Sequence, residues 1–211
     1  MHKKLMLACM AIAAFAAFVI APAAQGAVLA ETTAGGGVDP LAVGASITAK
    51  NESGTRTKFT GGFGVECEVA HLVGEVTANS EGTVAGQIPV GSATFTNAGG
   101  EPCSSLLGPT TVKVTSKLCL HVASTSDQVV TTGCGGVVTF DLTAAGITCR
   151  YETASVTSDN VETGTNTVKV TKKPATEESP GQFFCPDNGS LDMEFETFTT
   201  DGTPVYLETT P

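Results

Sequence analysis

Gly64-Val65-Glu66-Cys67-Glu68-Val69 and, further along, Gly146-Ile147-Thr148-Cys149-Arg150-Tyr151 share one pattern. Each opens on glycine and then sets an apolar or cysteine side chain at every second position. A period of two sends alternate side chains to opposite faces of an extended strand, whereas a helix repeats every 3.6 residues. In the first stretch Val65, Cys67 and Val69 form a core-facing side, and Glu66 and Glu68 form a wetted one. The same alternation recurs in Val112 and Val114 against Lys113 and Thr115, and in Val168 and Val170 against Lys169 and Thr171. It recurs again in Met193 and Phe195 between Asp192, Glu194 and Glu196.

Working outward, shorter β-rich runs lie at 41–50, 82–88, 92–96, 118–123, 128–132 and 137–142, and a final one at 204–209 follows Asp201-Gly202. Asp-Gly is a hairpin dipeptide, because its glycine accepts the positive φ that a tight turn requires. Glycine fills 24 positions and threonine 32, and no segment sustains a helical period. Glycine supplies turns and threonine, being β-branched, suits a half-exposed pleated surface. The pattern predicts an all-β domain of about ten to twelve short strands, a single antiparallel β-sandwich or alternatively a closed β-barrel. Two longer connections, 97–110 and 172–182, read as loops.

The N-terminus has a different character. His2, Lys3 and Lys4 precede an apolar run from Leu5 to Ile20, followed by small residues around Ala21 to Ala27. A basic start, an apolar run shorter than the roughly 20 residues of a spanning helix and a small-residue cleavage site define a secretory signal. We expect a signal peptide over residues 1–27, cut between Ala23 and Ala30 and nearest Ala27. A flexible leader over 28–37, with Gly35-Gly36-Gly37, and the β domain over 38–211 follow. Removing Lys3 and Lys4 moves the net charge from −10 to −12. An acidic chain of this kind repels phosphate backbones and anionic lipid, so neither nucleic acid nor, after cleavage, a membrane is expected as a partner.

Cysteine usage points to the same compartment. With Cys9 inside the signal, six remain: Cys67, Cys103, Cys119, Cys134, Cys149 and Cys185. An even number in an exported chain reads as a disulfide set, for which 15 connectivities exist. Spacings of 36, 15 and 36 between chain-order neighbours favour Cys67 with Cys103, Cys119 with Cys134 and Cys149 with Cys185. Cys119 and His121 share a strand face, yet no C-x-x-C pair accompanies them, and no metal or other cofactor is expected.

The signal segment, the Gly64-to-Cys67 strand, the stretch from Gly82-Thr83-Val84-Ala85-Gly86-Gln87-Ile88 to Ser92-Ala93-Thr94-Phe95, and Cys185-Pro186 followed by Leu191-Asp192-Met193-Glu194-Phe195 resemble a group of proteins. These are exported, cysteine-paired β proteins of soil-dwelling high-GC Gram-positive bacteria. The resemblance implies an exported β fold. The group has no assigned activity, so no catalytic residue comes with it.

Two constellations suggest chemistry. Asp192, Glu194 and Glu196 put three carboxylates on one strand face, and the run is similar to the acidic strand of laminarinase-type glycosidases, in which paired carboxylates act as nucleophile and acid. The order of Asp and Glu is inverted here, and the chain has no Trp to line a sugar cleft. Asp187, Asn188 and Asp192 offer oxygen donors near a turn, without EF-hand spacing. The sequence thus predicts a secreted, non-enzymatic structural or binding protein of the extracellular space or envelope, contacting an envelope or extracellular protein through its long loops. The alternative is a secreted glycoside hydrolase using carboxylates of the Asp192-to-Glu196 strand.

Overall fold

The computed structural model describes residues 26–32, 38–60, 63–123, 127–161, 164–177 and 184–209. Among the described residues eighteen strands carry the fold. In chain order the first nine are β1 (Ala27–Thr32), β2 (Val38–Pro40), β3 (Ser46–Asn51), β4 (Thr57–Thr60), β5 (Val65–Cys67), β6 (Val69–Ser80), β7 (Thr83–Ile88), β8 (Ala93–Thr96) and β9 (Ser104–Ser105). The rest are β10 (Thr110–Val114), β11 (Leu118–Val122), β12 (Val129–Gly133), β13 (Val138–Ala144), β14 (Ile147–Thr153), β15 (Val156–Thr157), β16 (Thr167–Glu177), β17 (Asn188–Thr199) and β18 (Val205–Thr209). Among the described residues the only helical element is a 3-10 turn at Ala98–Gly100, and no helix is long and apolar enough to cross a membrane.

All pairings are antiparallel. The main sheet runs β10-β13-β14-β16-β17-β3-β6-β7-β11-β12-β15, with β4, β5, β8 and β9 attached along it, and a three-stranded sheet runs β18-β1-β2. Right-handed strand twist makes so long a sheet curl rather than lie flat. The curl brings its far edge back onto its own middle: just past β15, the Asp159 amide donates to the Lys169 carbonyl of β16 at 2.7 Å. Asp159 secures this seam further, accepting from the Thr171 hydroxyl at 2.5 Å and lying 3.7 Å from the Lys173 ammonium. The strands from β16 round to β15 thereby enclose an interior, and the small sheet covers one end of it.

The main core lies at the opposite end. Phe59 meets Phe95 edge-on at 5.6 Å and Phe140 at 5.5 Å, and Phe140 stacks on Tyr151 at 5.7 Å. Around them Val65, Leu142, Leu191 and Phe195 are buried, each contributing about 1.5–3 kcal/mol by leaving water. The sheet-forming alternation read from the sequence is visible in β13, whose Val138, Phe140, Leu142 and Ala144 are buried while the residues between them are not. The turn between β17 and β18 uses Gly202 at φ 91°, the conformation for which Asp201-Gly202 was suited.

Three disulfides join Cys67 to Cys103, Cys119 to Cys134, and Cys149 to Cys185, the chain-order pairing. The two long-range links are buried, Cys67, Cys103 and Cys149 fully, and lie in the main core. The Cys119–Cys134 link staples β11 to the end of β12, with Cys134 exposed.

Three expectations are corrected. Residues 28–32, expected within a flexible leader over 28–37, form most of β1, because Val28 and Ala30 alternate inward and are buried at 5% and 1% exposure. Residues 33–37 of that leader lie outside the described residues, as do the signal residues up to 25. The expected loop at 172–182 is strand up to Glu177, since a bulge between Val170 and Lys173, with Lys172 at φ 47°, restores pairing to β17; residues 178–183 lie outside the described residues. The strands number eighteen rather than ten to twelve, the surplus being mainly short pieces such as β2, β9 and β15.

Candidate functional site

The curled sheet leaves a cavity of about 240 Å³ along its interior. Strand alternation builds its walls: Ile47 and Ala49 face inward from β3, Leu120 and Val122 from β11, and Val168 and Val170 from β16. Two inward positions are glycines. A methyl group at Gly74 would lie 2.6 Å from the Gln87 carbonyl oxygen, and one at Gly86 would lie 3.1 Å from that of Glu75. Close approach of β6 and β7 therefore demands glycine there, and the missing side chains leave space inside.

The cavity is polarised along its length. Phe59, Phe95, Phe140 and Val114 line the end that rests on the main core. Leu29, Val205 and Leu207 line the other end, beneath the small sheet. That sheet is held by Asn79 of β6, whose Oδ1 accepts from the Leu29 amide at 2.8 Å. Its Nδ2 donates to the Leu29 and Leu41 carbonyls at 2.7 and 2.9 Å.

Of the polar lining residues, Ser158, Asn166 and Thr197 lie toward the covered end, whereas Thr131 of β12, opposite Leu120 and Val156, faces the middle of the interior. The Ser158 hydroxyl accepts from the Val129 amide at 2.9 Å and donates to the Asp159 carbonyl at 2.7 Å. Thr197 lies within bonding reach of the Asn166 and Val205 carbonyls, at 3.0 and 2.8 Å. The ionisable residues bordering the cavity, Glu75 and His121, alternate with inward neighbours on β6 and β11 and stand exposed on the outer surface, where Gln87 donates to Glu75. An apolar void already stays dry and binds benzene-sized molecules at about 150 Å³, so this one is large enough to hold a guest.

The residues singled out from the sequence lie elsewhere. Leu191, Met193, Phe195 and Thr197 of β17 line the cavity, which puts Asp192, Glu194 and Glu196 on the opposite, outer face. There Glu194 pairs with Lys169 at 3.2 Å. Glu52 adjoins the group: a hydrogen bond to Glu194 and that residue's charge raise the Glu52 carboxyl above its ordinary value. A sheet face of this kind lacks the walls that hold a sugar between two carboxylates. Other alternating charges pair across strands, Lys58 with Glu66 at 3.4 Å and Arg150 with Asp141 at 2.7 Å, exposed bridges that add little stability.

His71 faces Lys50 and Thr94 in register, while His121 faces Ala85 and Val130, with β7 between their strands. Among the described residues no three His, Cys, Asp or Glu side chains converge as metal ligands, Asp187 and Asp192 included. The 97–110 loop is pinned by the buried Cys103 and by Asn97, whose side chain donates to the Pro102 carbonyl at 2.9 Å. No family profile matches the chain, and neither the curated proteins nor the solved structures contain a detectable relative.

Proposed function

We propose that this protein is a secreted, non-enzymatic binding protein of the extracellular space or cell envelope, which takes a small apolar molecule into the interior of its curled sheet. The cavity carries this reading. Natural ligand sites are concave, mostly apolar and largely preformed, and the mouths and interiors of curled β-sheets are a common place for them. The disulfide set fits an oxidising compartment, and the acidic surface suits a protein that keeps its apolar surface inside. The resemblance to exported β proteins agrees with this location. Hydrolysis at Asp192 to Glu196 gains no support from a carboxylate row on the outer sheet face.

The test is uptake of the neutral fluorophore N-phenylnaphthylamine, whose emission rises in apolar surroundings. Saturable binding at one molecule per chain is expected. Ala49→Leu combined with Leu120→Phe fills the interior and should weaken that binding at least about tenfold, since the added carbons occupy space the guest needs. Unsaturable binding, or equal binding by the filled variant, overturns the proposal.

A further inference from the structure

The lining specifies the ligand more narrowly than apolarity alone. Among the described residues the ionisable groups bordering the cavity, Glu75 and His121, stand on its outer side, so a buried charge on a guest would find no counter-ion among them. Such a charge would lose its hydration without compensation, a cost that excludes it from the interior. The described polar groups that do face inward are uncharged, and apart from Thr131, midway along β12, they sit at one end.

At that end most hydrogen-bonding capacity is already used. Ser158 and Thr197 are committed to backbone partners at 2.7–3.0 Å. Asn166, two residues ahead of Val168 in the direction of the small sheet, is different. Its backbone carbonyl accepts from the Thr197 amide at 2.8 Å, while its carboxamide makes no hydrogen bond to the described residues. A carboxamide offers two donors and an acceptor, so it can meet a hydroxyl or a carbonyl equally well. At the far end Phe59, Phe95 and Phe140 offer only hydrocarbon.

Resting on the cavity as the binding site, we infer that the ligand is an uncharged amphiphile: a hydrocarbon body seated against the phenylalanines, with one hydroxyl or carbonyl group meeting the Asn166 carboxamide beneath the small sheet. A carboxylate in the same place would face the uncharged Asn166 carboxamide with no described cation beside it.

Displacement of bound N-phenylnaphthylamine by n-decanol, n-decane and n-decanoate, at a pH where the acid is ionised, tests this. Decanol should displace the fluorophore at a concentration about tenfold below that of decanoate, and several-fold below that of decane. In Asn166→Leu the advantage of decanol over decane should vanish. Decanoate binding as tightly as decanol, or a decanol preference that survives in Asn166→Leu, overturns the inference while leaving the cavity as the binding site. Failure of the fluorophore itself to bind overturns both. The three-ligand comparison on the unaltered protein decides the question of charge even if the variant does not fold.

Discussion

Replacing Asn79 with alanine should release the small sheet without unfolding the large one. The side chain makes three hydrogen bonds of 2.7–2.9 Å, two to Leu29 of β1 and one to the Leu41 carbonyl. Each is worth about 1 kcal/mol net, and an orphaned buried amide costs about 1–3 kcal/mol, so the loss should total about 2–4 kcal/mol. The Leu29 carbonyl keeps a second donor, the Leu41 amide at 2.9 Å, which holds the estimate below the upper end of that sum. Because the main core with its two buried disulfides lies at the opposite end, the cost should fall on local opening. Amide hydrogen exchange across β1 and β18 should accelerate about 30- to 900-fold, with β13 and β14 unchanged. Asn79→Asp is a sharper test: it keeps the acceptor for the Leu29 amide, loses both donors and turns an anion toward two carbonyls, so it should exchange faster than the alanine variant. Unchanged exchange in β1 and β18 of both variants, or acceleration spread evenly over the whole chain, would refute the reasoning.

Mild reduction should open Cys119–Cys134 first, since Cys134 is exposed and the other two links are buried, and mass-tagging of free thiols with time would reveal the order. Replacing that pair by serine should cost about 3 kcal/mol by denaturant titration, against about 4 kcal/mol or more for either pair spanning 36 residues. Burial, with the Glu177 and Asp187 charges, pushes the Tyr151 phenol up to about 12 from 10.0. A group whose folded pKa is raised stabilises the fold fully below its unfolded value, so stability should fall by about 2 kcal/mol between pH 10 and 12, and Tyr151→Phe should flatten that decline in urea titrations. Glu52→Gln removes a charge that Glu194 repels, so it should raise the urea midpoint at neutral pH and leave it unchanged where both carboxyls are protonated.

The strands of the large sheet were legible because burial of one face imposes a two-residue period, as Val138 to Ala144 and Val65 to Cys67 show. The disulfide pairing was legible from the spacings of 36, 15 and 36, although only Cys119–Cys134 joins adjacent hairpin strands, β11 and the end of β12. Strand β1 was hidden: Ala27, Val28, Leu29 and Ala30 satisfy a peptidase site as well as the central strand of a small sheet, and short alanine-rich runs carry little β signal. The strand past Lys172 was hidden because its continuation depends on a bulge, a backbone event with no strong side-chain signature. The cavity could not be read at all. Inward valines and leucines have the same period whether the opposite wall touches them or stands apart, and the separation is set by how far the sheet curls. The one local hint was glycine at inward positions 74 and 86, where a packed strand would ordinarily carry a larger residue.

The small sheet pairs β1 with β18, Ala27 opposite Thr209, so the earliest described strand completes one side of its ladder against the latest, while β2 supplies the other. Nearly the whole chain separates the two, and the loop-closure entropy of so distant a pairing must be overcome before the contact stabilises anything, which slows folding. The pairing fastens the two ends of the described chain to each other, so trimming back either end strips a strand from the small sheet.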